Sequence, residues 1–197
     1  SQGNNSVTVL VNQSTLGSIS FSPIAPITIV IPGAASTEGL AVEDLDGDKL
    51  PEIITSQFNT NSDIYIITNT SSPGSFTAGA IRTLPVGAAI KNIRVGDLDG
   101  DRKPEIAYTK LTSQQVGLFL NKSTPATISF TAGPNVPTDE NPWGLDLGDL
   151  DGDGKADIVV ASASTTRKSI TILNNKSITG SLSFTPSILP TTFVNRH

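Results

Sequence analysis

The stretch Asp149-Leu150-Asp151-Gly152-Asp153-Gly154-Lys155-Ala156-Asp157 decides how the rest of the chain is read. Asp fills positions 1, 3 and 5 of this run, and a fourth carboxylate closes it at position 9. Carboxylates this close repel one another strongly unless a cation sits among them. Alternating Asp, a Gly where the backbone turns sharply and a late acidic residue suit Ca2+, a hard cation that takes about six to eight oxygens at about 2.3–2.6 Å. The same loop occurs twice more, as Asp44, Asp46, Asp48 and Glu52 and as Asp97, Asp99, Asp101 and Glu105.

The loops begin at Asp44, Asp97 and Asp149, 53 and 52 residues apart. An aliphatic residue followed by Pro recurs at Ile31-Pro32, Leu84-Pro85, Val136-Pro137 and Leu189-Pro190, with spacings of 53, 52 and 53. Apolar runs end in Asn12, Asn69, Asn121 and Asn174, each followed by a Ser-Phe pair that places Phe21, Phe76, Phe130 and Phe184. A repeat of this length covers essentially the whole chain.

Each repeat carries four strand signals. The first alternates apolar residues into the acidic loop (Leu40 to Val42, Ile93 to Val95, Leu145 to Leu147), and the second leaves it (Ile53 to Thr55, Ile106 to Tyr108, Ile158 to Val160). The third is nearly all apolar (Val7 to Val11, Ile64 to Ile67, Leu118 to Leu120, Ile170 to Leu173), which predicts cover on both faces. The fourth is polar and runs to the Pro, which belongs at a sheet edge because it cannot donate to a ladder. No segment has helical periodicity. The fold class read here is all-β: a β-propeller-like array of four-stranded antiparallel blades, with a β-solenoid or sandwich array as the alternative.

The runs Val95-Gly96-Asp97-Leu98-Asp99-Gly100-Asp101 and Leu147-Gly148-Asp149-Leu150-Asp151-Gly152-Asp153 resemble the FG-GAP or VCBS-type repeat of integrin α heads and bacterial surface proteins. So does the turn from Leu120-Asn121-Lys122-Ser123-Thr124-Pro125 into Ile128-Ser129-Phe130. The resemblance implies a propeller with Ca2+ in the hairpin between the first two strands of each blade, up to three ions here, but no single activity. The ligand set expected in each loop is the carboxylates of positions 1, 3, 5 and 9 and the carbonyl of position 7: Leu50, Lys103 and Lys155. The alternative is a metal-free Asx-rich turn. Position 6 is Gly154 in the third loop but Lys49 and Arg102 in the others, so the Asp149 loop is expected to bind most tightly.

In this phase the chain divides into a half blade (residues 1–35) and blades at 36–87, 88–140 and 141–197, all one repeat domain. About three and a half blades do not close a ring, which needs about four to eight. The reading favoured is part of a larger propeller; the alternatives are completion by a second chain and a four-bladed ring with an incomplete first blade. Open strand edges invite self-association, most of all at the half blade.

Composition narrows the function classes. Twelve of the 18 acidic residues lie in the three loops, and three divalent ions would take the net charge from −5 to +1. The acidity therefore belongs to sites. No Lys/Arg cluster offers a nucleic-acid footprint, and no apolar run approaches the ~20 residues of a membrane helix. Cys is absent and the single His is His197, so neither thiol nor His-based catalysis is expected, and the catalytic set is empty. Low Lys and Arg with abundant Ser, Thr, Asn and Gly suggest an extracellular or cell-surface β protein. Its partner would be a protein or glycan bound on blade loops such as Gln57 to Asp63 and Ala163 to Lys168. Trp143, the only Trp, is either a sugar-stacking platform or a cap on an inter-blade gap. Arg94 and Asp146 occupy one repeat position in successive blades and are placed to pair. Asn-x-Ser/Thr sequons at Asn4, Asn12, Asn69, Asn121 and Asn175 are read as turn formers more readily than as glycan acceptors.

Overall fold

The computed structural model describes residues 5–21, 26–33, 36–164 and 168–190. Asn4 and His197 fall outside these residues, as do residues 165–167 of the second recognition loop.

The described residues form strands only. A two-stranded sheet of β1 (Ser6–Val9) and β2 (Ile27–Val30) precedes three four-stranded antiparallel blades. Blade 1 holds β3 (Thr37–Glu43), β4 (Glu52–Gln57), β5 (Asp63–Asn69) and β6 (Ala78–Pro85). Blade 2 holds β7 (Ile93–Gly96), β8 (Glu105–Lys110), β9 (Gln115–Asn121) and β10 (Phe130–Pro137). Blade 3 holds β11 (Pro142–Gly148), β12 (Asp157–Ala163), β13 (Lys168–Asn175) and β14 (Phe184–Pro190). Within each blade the spatial order follows the chain, so every connection is a hairpin and each acidic loop joins the first strand to the second. First strands of successive blades lie beside one another, β3 by β7 and β7 by β11.

The blades pack face to face, and the core lies between them. Ile54, Ile64 and Ile66 of blade 1 meet Ile93, Ile106 and Phe119 of blade 2. Ala107, Val116 and Leu118 of blade 2 meet Leu145, Val160 and Leu173 of blade 3. Val7, Ile29 and Ile31 of the half blade meet Ile53, Tyr65 and Ile67. These joints explain the apolar third strands: β5 and β9, with a blade on either side, are buried on both faces. β13 instead alternates buried and open residues, because no blade among the described residues lies beyond it. The expected cover of Ile170 to Leu173 is therefore present on one face only.

The connection from third to fourth strand repeats in all four units as a tight turn closed by paired residues: Thr15 with Ser18, Ser72 with Ser75, Thr124 with Thr127 and Ile178 with Ser181. Two repeat markers move by small steps. The fourth Asn of the series is Asn175, which pairs with Phe184 as Asn121 pairs with Phe130, so Asn174 is not the equivalent. Phe76 stands two residues earlier in its hairpin than Phe21, Phe130 and Phe184, and its counterparts are Ile19, Ile128 and Leu182.

Candidate metal centres

Each acidic loop is held open by the same set of bonds from its own backbone. In the Asp44 loop, Gly47 N donates to Asp44 Oδ1 (2.8 Å) and Lys49 N to Asp44 Oδ2 (2.9 Å). Asp48 N donates to Asp46 Oδ1 (3.1 Å), and Leu50 N to Asp48 Oδ1 (2.7 Å). The Asp97 loop repeats this with donors Gly100, Arg102, Asp101 and Lys103, and the Asp149 loop with Gly152, Gly154, Asp153 and Lys155. Amides fix one oxygen of each Asp at positions 3 and 5, which fixes where the carboxylates stand.

The position 9 acid does a second job. Glu52 accepts from Leu45 N (3.0 Å) and from Asn69 N (3.4 Å), which ties the loop to the start of the next hairpin. Glu105 does the same with Leu98 N and Asn121 N, and Asp157 with Leu150 N and Asn175 N. Glu105 is fully buried, and that burial, reinforced by the Asp99 and Asp101 charges and opposed by its two amide donors, pushes its pKa up to about 7. Glu52 is raised for the same first reason.

The titration of Glu105 has a sign. The folded chain holds this proton more tightly than the unfolded chain does. Stability tied to it is fully present below the ordinary value of 4.5 and is lost as pH rises through about 7. Without divalent cations, the protein is therefore expected to lose on the order of 3 kcal/mol of stability from this group between pH 5 and 8. Glu105→Gln flattens that part of the profile in chelator; an unchanged slope in urea titrations across this range refutes the assignment.

Carboxylate oxygens of Asp44, Asp46 and Asp48 lie within 4.8 Å of one another, as do those of Asp97, Asp99 and Asp101 and those of Asp149, Asp151 and Asp157. Oxygens bound to one Ca2+ at about 2.3–2.6 Å are at most about 5 Å apart, so all three sets fit such an ion in charge, donor type and spacing. The structure thus gathers positions 1, 3 and 5 in the first two loops and positions 1, 3 and 9 in the third. Glu52, Glu105 and Asp153 stand outside those closest sets. Leu50, Lys103 and Lys155 sit at the turn into the second strand, and Lys103 Nζ and Lys155 Nζ reach the Ser123 and Ser177 carbonyls of their own blades.

Position 6 is left-handed in every loop: Lys49 at φ 72°, Arg102 at φ 69° and Gly154 at φ 86°. A side chain there costs about 1–2 kcal/mol against Gly. Lys49→Gly and Arg102→Gly are each expected to stabilise the chelated protein by about 1 kcal/mol, a rise of roughly 2–4 °C in midpoint. Calorimetry in chelator checks this, and a lowered midpoint contradicts it. The third loop has a compensating cation nearby, since Lys176 Nζ lies 3.9 Å from Asp151, and Asn174 Nδ2 donates to Asp151 at 2.7 Å. The Asn174 bond holds the Asp151 carboxyl below its usual range.

Asn121 and Asn175 are the residues that sequence reasoning undervalued. Asn121 Nδ2 donates to Pro104 O of its own loop (2.9 Å) and to Leu45 O of the loop before (2.9 Å), while Asn121 Oδ1 accepts from Ser123 N. Asn175 repeats this with Ala156 O (2.8 Å), Leu98 O (2.9 Å) and Ser177 N. Each ties a hairpin to its own acidic loop and to that of the preceding blade. Both are fully buried, so neither sequon is open to a glycan in the folded protein. The signal was visible as the recurring Asn-x-Ser. Turn chemistry accounted for its oxygen and left its nitrogen unexplained.

On the opposite ends of the strands, Lys91 joins three blade elements. Its ammonium pairs with Glu38 (3.0 Å) and lies over the rings of Phe58 (4.8 Å) and Trp143 (4.6 Å). Trp143 is the bulged residue of β11 and remains 47% exposed, so it bridges blades and still presents surface. Arg94 and Asp146 do pair, at 3.0 Å, in an exposed bond that contributes little.

Residues 44–108 and 106–160 match the family described as FG-GAP-like repeat. A search of curated proteins finds no match.

Proposed function

Because this chain belongs to the FG-GAP-like repeat family, we propose that it is a calcium-stabilised, non-catalytic binding or adhesion module of a secreted or cell-surface protein. The observation that carries the reading is the threefold recurrence of a carboxylate triad, anchored on positions 1 and 3, with one amide scaffold beneath it. An ion in each loop would be held by the carboxylates of positions 1, 3, 5 and 9 and the carbonyl of Leu50, Lys103 or Lys155. It would supply charge compensation and hairpin rigidity. Carboxylates already committed to turns and to loop clamps are poorly placed for acid–base chemistry, which favours a scaffold over an enzyme. Among the described residues no helix is long and apolar enough to cross a membrane. The module would recur as blades at 36–87, 88–140 and 141–197 within a larger or self-completed propeller. Its protein or glycan ligand would bind on the blade loops, and its open edges would allow self-association as an assembly element.

Titration calorimetry tests the central claim. Three Ca2+ sites are expected, one per carboxylate set, and Asp97→Asn is expected to remove one of them. Heats no larger than dilution would end the calcium reading. A glycan-binding reading, as a lectin-like propeller or an ancillary domain of a polysaccharide-degrading enzyme, rests on the exposed Trp143 ring beside Lys91 and Glu38. Glycan-array binding lost in Trp143→Ala favours it.

A further inference from the structure

The three acidic loops repeat one amide scaffold, but what reaches the position 3 carboxylate from outside the loop differs in each. Asp151 accepts from Asn174 Nδ2 of its own blade at 2.7 Å. Asp99 accepts from the next blade: Gly180 N donates to Asp99 Oδ2 at 2.6 Å, while Asp101 N of its own loop holds Asp99 Oδ1 at 3.0 Å. The Thr179 hydroxyl lies 3.5 Å from Asp99 O, and Asp99 is only 6% exposed. Asp46 has the Asp48 amide on Oδ1 and, among the described residues, no donor from the next blade.

The Asp44 and Asp97 loops match at every acidic position, and both carry a basic residue at position 6. What separates them is the hairpin turn that faces them. The third residue of each such turn is left-handed: Gly17 at φ 80°, Gly74 at φ 83°, Ala126 at φ 62° and Gly180 at φ 82°. Where Gly180 bonds Asp99, Ala126 instead lines an open cavity of about 320 Å3 together with Asp46 and Ile128.

We infer that Gly180 is a positioning residue for the Asp97 loop, so that filling this loop with Ca2+ and closing the joint between blades 2 and 3 favour each other. The inference rests on the calcium reading given above. A carboxylate offers about four lone-pair sites, so the amide fixes the Asp99 carboxyl and still leaves lone pairs for a cation. Outer partners that orient a ligand in this way are typically worth about 10–100-fold in metal affinity. The hairpin that brings the amide also buries the Asp99 charge, and a buried charge is costly unless paired. A cation in the loop supplies that pairing, and the coupling is reciprocal. The Asp44 loop lacks this clamp and is expected to bind Ca2+ at least about tenfold more weakly than the Asp97 loop.

Amide hydrogen exchange of the wild-type chain, followed by NMR in millimolar calcium and in chelator, tests the coupling. Calcium is expected to slow exchange at Gly180 N at least about tenfold and to do little at Ala126 N. The effect at Gly180 is expected to vanish in Asp97→Asn. Calorimetry gives a second readout. The double variant Asp44→Asn, Asp149→Asn leaves the Asp97 loop alone, and Asp97→Asn, Asp149→Asn leaves the Asp44 loop alone. Adding Gly180→Val strains the turn with a β-branched side chain and is expected to weaken the Asp97 loop about tenfold or more. Ala126→Val applies the same strain opposite Asp46 and is expected to leave the Asp44 loop unchanged. Calcium heats with exchange at Gly180 unmoved, or faster in calcium, overturn the coupling and leave the calcium reading standing. Equal affinities of the two isolated loops overturn it as well. Absence of calcium heats defeats both.

Discussion

In excess chelator the protein is expected to unfold many degrees below its midpoint in millimolar calcium, and magnesium restores little of the difference. The physical reason is the crowding of carboxylates at three hairpins that otherwise organise the inner strands. A ligand that binds only the folded state at 100 times its dissociation constant contributes about 2.7 kcal/mol per site. Three sites at that saturation sum to roughly 8 kcal/mol, which for a chain of this size shifts the midpoint by roughly 15–30 °C. Magnesium demands a tighter octahedron than amide-fixed carboxylates provide. Scanning calorimetry at fixed pH decides it. Superimposed traces would reduce the loops to turns and remove the basis for the calcium-stabilised module.

The second large effect belongs to the bridging asparagines. Asn175→Ala removes two donors and one acceptor at a fully buried point, leaving the Leu98 and Ala156 carbonyls and the Ser177 amide without their partner. Each orphaned buried group costs about 1–3 kcal/mol, and the substitution is expected to cost about 4 kcal/mol in all. Asn121→Ala is expected to cost about as much, since its bonds are the same. The control is Asn12→Ala, which removes an exposed turn bond and is expected to cost about 0.5 kcal/mol. Urea titrations of the three variants in calcium rank them. Equal losses at Asn12 and Asn175 would show that the nitrogen bridges do not hold the blades together.

How much of this was legible in the sequence depends on range. The acidic loops and the strands flanking them were readable because a carboxylate spacing and a period-two pattern are local. The Asp44, Asp97 and Asp149 loops accordingly sit where the repeat put them, each between first and second strands. The hairpin register was less secure. Asn174 and Asn175 are the same residue type, and only the partner Phe184 distinguishes them. Phe76 was aligned by identity, although what that position requires is any large apolar side chain to fill a joint, met elsewhere by Ile128 and Leu182. The Lys91 contact with Phe58 and Trp143 joins residues distant in the chain, which no spacing reports. Burial of β13 on one face alone was hidden for a different reason: Ile170 and Ile172 are as apolar as residues that do have cover.

The bridge from each hairpin to the loop before it also sets a sequence of events in time. As the chain leaves the ribosome, the acids of the Asp44 loop emerge well before Asn121, and those of the Asp97 loop well before Asn175. Every loop thus passes through a stage in which its own blade is nearly complete and its flank is bare, when hydrated ions exchange freely. The arrival of the following hairpin, with Ile128 or Leu182 set against Leu45 or Leu98, then covers that flank of the loop. An ion held in either of the first two loops would sit beside such a joint, and the joint opens only on the slow clock of local unfolding. An ion held in the Asp149 loop would have no such cover among the described residues, because Leu150 is 54% exposed.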